Sequence, residues 1–201
     1  TWNMMILESK GTIENTPVHV FDIPTYIKTE IDTWVRESKK IKDHPLGELK
    51  ASENAAYNHP DDGKKYNTFQ CSISPRLIEE SFWLAWAIRI ANKYFAPEEH
   101  HRSLRLRKMD GHFDGYEIWT NFSNKGDSNP RHDHGGWVSG VIYHSNHGHP
   151  TIFNDYDAEY EGKDGTMILF PANTTHSCTE QTQDEERITI AFNLIISYGV
   201  G

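Results

Sequence analysis

Cysteine is scarce in this chain: Cys71 and Cys178 are the only two in 201 residues. Two thiols so far apart in sequence make no disulfide framework, so a reduced, cytoplasmic setting is the simpler expectation. No apolar run reaches the roughly 18 residues that a membrane-spanning helix needs, so no membrane partner is expected. The leading Thr1-Trp2-Asn3-Met4-Met5 has no basic segment running into an apolar one, and no secretory signal is visible. Long basic tracts are also missing, and the net charge is -9 with His neutral. Nothing here has a nucleic-acid footprint, and the acidity mainly favours solubility. Internal repeats and low-complexity tracts are absent.

What the chain does contain is apolar and aromatic matter. Hydrophobic residues make up 36% and aromatics 12%, with six Trp, enough to build a packed core rather than a disordered coil. The length suits a single domain over residues 1–201. Histidine is abundant at twelve residues, and the stretch from His132 to His149 is dense in it.

The first half reads as one strand and two helices. Val18 to Phe21 alternates like a strand. Pro24 opens a helix to about Lys40, with Ile27, Ile31 and Val35 on one face. Asp43 to Asn67, rich in Gly, Pro, Asn, Asp and Lys, reads as a surface loop. Ser74-Pro75 reads as a helix start, with the helix running from about Arg76 to Phe95 before Pro97. Leu84, Ile88, Ala91 and Phe95 share its apolar face, widened by Trp83 and Trp86.

After Met109 the period changes to two. Gly115–Phe122, Val138–His144, Thr151–Asn154, Thr166–Phe170 and Ile188–Ile196 all read as strands. No helical pattern separates them, so they pair antiparallel, as a sandwich, jelly roll or barrel. The expected architecture is mainly β with N-terminal helices. Residues 1–110 form the helical support with an initial strand and loop, and 111–197 form the β core.

Candidate chemistry concentrates at Arg131-His132-Asp133-His134-Gly135. On an extended segment His132 and His134 point one way and Asp133 the other, so two imidazoles converge as a metal fork. A lone His176 follows the strand Met167–Phe170 and its bounding Pro171, at the rim where a third ligand is needed. In Arg187-Ile188-Thr189-Ile190-Ala191-Phe192-Asn193 the alternation is sharp. Ile188, Ile190 and Phe192 form an apolar face towards the helices, and Arg187 and Thr189 share the inner one. A buried guanidinium needs an anion, which a substrate carboxylate would supply. An Arg at an exposed strand start, paired with Asp184 or Glu185, fits the spacing equally well.

Residues 112–196 resemble, in order, the Fe(II)/2-oxoglutarate-dependent dioxygenases, and among them the small oxygenases of bacteria and phages. The matching pieces are Trp119-Thr120-Asn121, His132-Asp133-His134 and Ser139-Gly140-Val141-Ile142-Tyr143. They continue with Gly165–Pro171, His176 and Arg187–Asn193. The resemblance implies a double-stranded β-helix, or jelly roll, packed on supporting helices. It also implies Fe(II) on His132 and His176, and 2-oxoglutarate anchored through its distal carboxylate to Arg187 beside Thr189. Tyr143 and Asn121 are candidates for the cosubstrate pocket. Partners would be dioxygen and a small-molecule or side-chain substrate, with hydroxylation the usual outcome.

The chain departs from that family at one place. The family pattern is His-x-Asp or His-x-Glu, and here the third position is His134. The third ligand is then His134, Asp133 on a twisted strand, or water, and three imidazoles also suit Zn or Cu. Two alternatives stand beside the oxygenase reading: a cupin-like three-histidine metalloenzyme without 2-oxoglutarate, and a non-catalytic jelly-roll binding module.

The remaining features read more plainly. His144, His147 and His149 belong to a polar turn, and Asp155, Asp157, Glu159 and Glu161 to a solvated hairpin tip. Arg102, Arg105, Arg107 and Lys108 form an edge charge cluster. Cys178 is a packing thiol. Trp119 and Trp137 line either the substrate mouth or the core.

Overall fold

The computed structural model describes residues 10–43, 57–58, 65–66, 69–72, 78, 81–97, 103–108 and 116–197. Its framework is an antiparallel sheet of eight strands: β1 (Gly11–Thr12), β2 (His19–Asp22), β5 (Phe69–Ser72), β6 (Ser103–Leu106), β7 (Ile118–Ser123), β9 (Val138–Ser145), β12 (Thr166–Pro171) and β14 (Arg187–Ser197). They run in the order β1-β2-β12-β9-β14-β7-β5, with β6 pairing the far end of β14. A second sheet has the order β11-β10-β13-β8, from β8 (Asn129–His132), β10 (Thr151–Phe153), β11 (Ala158–Tyr160) and β13 (His176–Cys178). A two-stranded pair, β3 (Tyr57–Asn58) with β4 (Lys65–Tyr66), lies within the stretch expected to be loop. Pairs this short carry no readable period. The whole is a jelly roll with helices on one face, as expected from the sequence.

Strand β14 divides the molecule in two. Ile188, Ile190, Phe192 and Leu194 turn outward to a core shared with α1 (Thr25–Lys42) and α2 (Phe82–Phe95). Ile27, Ile31, Trp34 and Val35 of α1 enter that core, and so do Trp83, Leu84, Trp86, Ala87, Ile90 and Ala91 of α2. Burying each large apolar side chain stabilises by about 1.5–3 kcal/mol. Thr120 sits on the same face, where the Trp34 indole donates to its hydroxyl at 3.1 Å and the Ser38 hydroxyl lies at 2.7 Å. A smaller inner core, Val18, Tyr143, Phe153, Ile168 and Phe170, fills the space within the roll.

The helix expected over Arg76–Phe95 is interrupted at Ser81, which adopts an extended conformation and whose hydroxyl accepts from Leu84 N, so α2 begins at Phe82. Ile78 before it is also helical, and Arg76 lies outside the described residues. Ser74 and Pro75 lie outside the described residues. Its buried face centres on Trp83, Ala87 and Ile90, leaving Ile88 and Phe95 half-buried at its margin. Among the described residues no helix is long and apolar enough to cross a membrane.

Candidate metal centre and cosubstrate pocket

Two strands that periodicity did not reveal, β8 and β13, build the site. Pro130 cannot donate to a ladder, which suits β8 to the sheet edge it occupies. In the β8–β13 pairing His132 stands directly opposite His176, and their ring centroids lie 4.3 Å apart. The chain then leaves the strand, and His134 N donates to Ala172 O at 2.9 Å. That bond folds the third imidazole inward, 4.9 Å from the His132 ring and 5.1 Å from the His176 ring. The ligand atoms of the three histidines all lie within 4.8 Å of one another. Asp133 is exposed and outside this group. Of the three options for the third ligand, the geometry brings His134 to the other two.

The protonation of these rings suits a metal. His132 Nδ1 donates to Pro130 O at 2.7 Å, and His176 Nδ1 donates to Thr174 O at 2.9 Å. A carbonyl can only accept, so both rings carry their proton on Nδ1 and keep the Nε2 lone pair free. Burial, then the neighbouring His132, His176 and Arg107, push His134 down to about 3. Burial, then His132, lower His176 to about 4, and burial also lowers His132. All three imidazoles are therefore neutral at pH 7, the form that ligates. Together they offer three convergent neutral nitrogen donors, which fit Fe(II), Zn(II) or Cu(II).

The glycines beside the fork have structural work. Gly136 has φ +111, and a Cβ there would lie 2.8 Å from Leu194 O. A Cβ on Gly135 would lie 2.3 Å from an Arg107 guanidinium nitrogen. Arg107 pairs with Glu117 at 3.0 Å, Asn193 donates to Glu117 at 2.9 Å, and Ser139 donates to Asn193 at 2.6 Å. This polar chain behind His134 escaped the sequence reading, which took Arg107 for part of an edge cluster. Only the alternation that turns Asn193 inward hinted at it.

The inner face of the large sheet carries the other candidates. Thr189 stands opposite Asn121 on one side and Tyr143 on the other. Asn121 Nδ2 donates to the Thr189 hydroxyl at 3.2 Å, while its Oδ1 is buried without a partner among the described residues. Tyr143 is fully buried, its hydroxyl 2.8 Å from Thr151 Oγ1, and burial raises its pKa, so it remains a phenol. Trp119, two residues before Asn121 on the same face, lies 5.8 Å from the His134 ring. Strand β7 thus leads from the histidines along Asn121 towards Ser123, which is paired with Arg187.

Arg187 resolves the ambiguity that spacing left open. It is buried, and its Nε donates to Asn146 Oδ1 at 3.0 Å. No carboxylate among the described residues pairs with it: Asp184 binds Lys125 at 3.0 Å, and Glu186 binds Lys42 and Lys39. A buried cation without an anion is the polarity expected of a carboxylate pocket.

The other histidines go separate ways. His144 Nε2 meets Asp32 of α1 at 2.8 Å, His147 takes a positive φ in the turn, and His149 Nε2 donates to Thr179 O at 2.9 Å. Asp155, Asp157 and Glu159 are exposed at the hairpin tip. Cys178 is a free, half-buried thiol. Trp137 is 45% exposed at the rim, held by its indole donating to Phe95 O at 2.7 Å.

No protein-family description matches the sequence, and no curated protein matches it. Solved structures do. A viral collagen prolyl hydroxylase from Paramecium Bursaria Chlorella virus-1 superposes with TM-score 0.58 at 14% identity, covering 94% of this chain and all of that one. An oxidoreductase of the 2OG-Fe(II) oxygenase family from Burkholderia pseudomallei gives 0.60 at 13% identity, with 89% and 85% covered. The α-ketoglutarate-dependent epimerase SnoN of nogalamycin biosynthesis gives 0.59 at 10% identity, with 90% and 78% covered. The chain has the fold of these oxygenases. At such low identity the likeness is one of architecture; within it His132 and His176 lie on the small sheet of this chain and Arg187 on the large one.

Proposed function

We propose that this protein is an Fe(II)- and 2-oxoglutarate-dependent oxygenase of the hydroxylase type. The observation that carries the reading is a pairing within one roll: three neutral imidazoles converging on a point, and a buried guanidinium lacking an anion. Fe(II) would be held by Nε2 of His132 and His176 and by His134. Arg187 would take the distal carboxylate of 2-oxoglutarate, with Thr189, Tyr143 and Asn121 lining the pocket. The orphaned Asn121 Oδ1 can only accept, so its partner would be a water or a substrate donor beside the cosubstrate, which itself offers acceptors alone. Iron with 2-oxoglutarate supplies the oxidising chemistry towards dioxygen, ending in succinate, carbon dioxide and an oxidised substrate.

The residues of the chain contribute position and charge. Nδ1 bonds to Pro130 and Thr174 hold two rings in the ligating tautomer. The inner core of Phe153, Ile168 and Phe170 excludes water behind them. Three neutral ligands leave the ion its full charge, which with Arg187 attracts a dianion more strongly than a set containing a carboxylate. That neutral third ligand also favours a second reading, a three-histidine metalloenzyme that does without 2-oxoglutarate.

Product analysis separates the two readings. Under air with Fe(II), the protein is expected to turn 2-oxoglutarate into succinate, and the His176→Ala variant is not. Bound metal with no succinate formed, with or without candidate substrates, would overturn the proposal in favour of the second reading.

A further inference from the structure

The turn after β9 holds a residue that neither periodicity nor resemblance singles out. Asn146 is fully buried, and its Oδ1 receives Arg187 Nε at 3.0 Å. Its Nδ2 faces three carbonyls, His149 O at 2.7 Å, Gly162 O at 2.8 Å and Glu161 O at 3.2 Å. Those oxygens only accept, so the amide cannot flip, and Oδ1 is committed to Arg187. Its backbone N donates to Asp164 Oδ1 at 2.6 Å, which ties the turn to the next loop. Gly162 makes the approach possible: a Cβ there would lie 2.1 Å from Asn146 Nδ2 and 2.7 Å from the Tyr143 ring, at φ +65.

A guanidinium is planar, so fixing Nε fixes the plane. Two NH2 groups then point in set directions, suited to both oxygens of a carboxylate. We propose that Asn146 is the positioning residue that orients Arg187 for the distal carboxylate of the cosubstrate, and so sets the preference for a diacid. The inference rests on the oxygenase reading, in which Arg187 receives that carboxylate. Asn146 acts through Arg187 and does not touch the metal group.

The test is calorimetry on the Fe(II)-loaded protein without oxygen, with 2-oxoglutarate and with pyruvate, which shares the 2-oxoacid head but lacks the distal carboxylate. Asn146→Ala is expected to weaken 2-oxoglutarate binding about 10-fold, the worth of one charge-assisted hydrogen bond, and to leave pyruvate and Fe(II) binding unchanged. In an Arg187→Ala background the same substitution is expected to change 2-oxoglutarate binding no further. Asn146→Ser keeps a hydroxyl to donate to the turn carbonyls but loses the reach to Arg187. It is expected to fold, melting below the parent but above Asn146→Ala, and still to show the selective loss. Equal weakening of both acids, or an undiminished loss in the Arg187→Ala background, would reduce Asn146 to a prop for the turn. A parent protein that binds the two acids alike overturns the oxygenase reading and this inference with it.

Discussion

Replacing Arg187 with Met exposes a conflict between stability and binding. The guanidinium is buried with one hydrogen bond, to Asn146, and no anion among the described residues. Holding a lone ion there costs several kcal/mol after relaxation. Met occupies much the same stem volume without the charge. Against that gain, Asn146 Oδ1 loses its partner, which costs about 1–3 kcal/mol. The balance favours the variant by about 1 kcal/mol or more without ligand, and a chain of this size should melt about 2–4 °C higher per kcal/mol. Binding goes the other way. Two charge-assisted bonds to a carboxylate are worth about 3–4 kcal/mol, so 2-oxoglutarate affinity should fall about 100- to 1,000-fold. At a cosubstrate concentration of 100 times its Kd, the Fe(II)-loaded parent gains about 2.7 kcal/mol, or about 5–10 °C. The melting order therefore inverts: Arg187→Met is the more stable without 2-oxoglutarate, and the parent with it. Anaerobic thermal melts of both proteins, with and without the ligand, read this directly. A variant that loses more than about 2 kcal/mol while keeping the full ligand shift would refute the reasoning and make Arg187 structural.

Other outcomes follow from the same geometry. His134→Asp is expected to retain Fe(II) but to bind 2-oxoglutarate about 10-fold more weakly, because the site loses one positive charge towards a dianion; metal content and calorimetry check it. With folded values near 3 and 4 against an ordinary 6.5, His134 and His176 stay neutral in the fold after the unfolded chain has taken up protons. Metal-free stability is therefore full above pH 6.5 and lost as the pH falls below it, by about 2 kcal/mol per imidazole at pH 5, measurable by urea unfolding at pH 7.5 and 5. Gly136→Ala meets Leu194 O at a positive φ, and a loss of about 1–3 kcal/mol with reduced metal content is expected.

How much of this was legible in the sequence depended on length. Strand β14 runs eleven residues, so its alternation separated the Ile188 face from the Arg187 face correctly. The fork His132-x-His134 was also visible, since spacing two suffices on extended chain. Strands β8 and β13 hold four and three residues, too few to show a period, yet their register is what opposes His132 to His176. Whether His134 or Asp133 joined them depended on the chain leaving the strand after His132 and bonding to Ala172, a contact 38 residues distant (172 − 134). Arg187 was ambiguous because its candidate carboxylates are local, whereas Lys125 and Lys42, which bind two of the nearby acids, come from elsewhere. Asn146 looked like an ordinary turn residue, and its role exists only once Gly162 and β14 close on it.

The central claim is that one cavity holds both metal and 2-oxoglutarate, and an anaerobic titration of Fe(II) with 2-oxoglutarate, followed by visible absorption, tests it most directly. A metal-to-ligand charge-transfer band is expected only when both are present, saturating at one cosubstrate per chain and absent in His132→Ala. A protein that binds Fe(II) and develops no such band at any 2-oxoglutarate concentration would contradict the account.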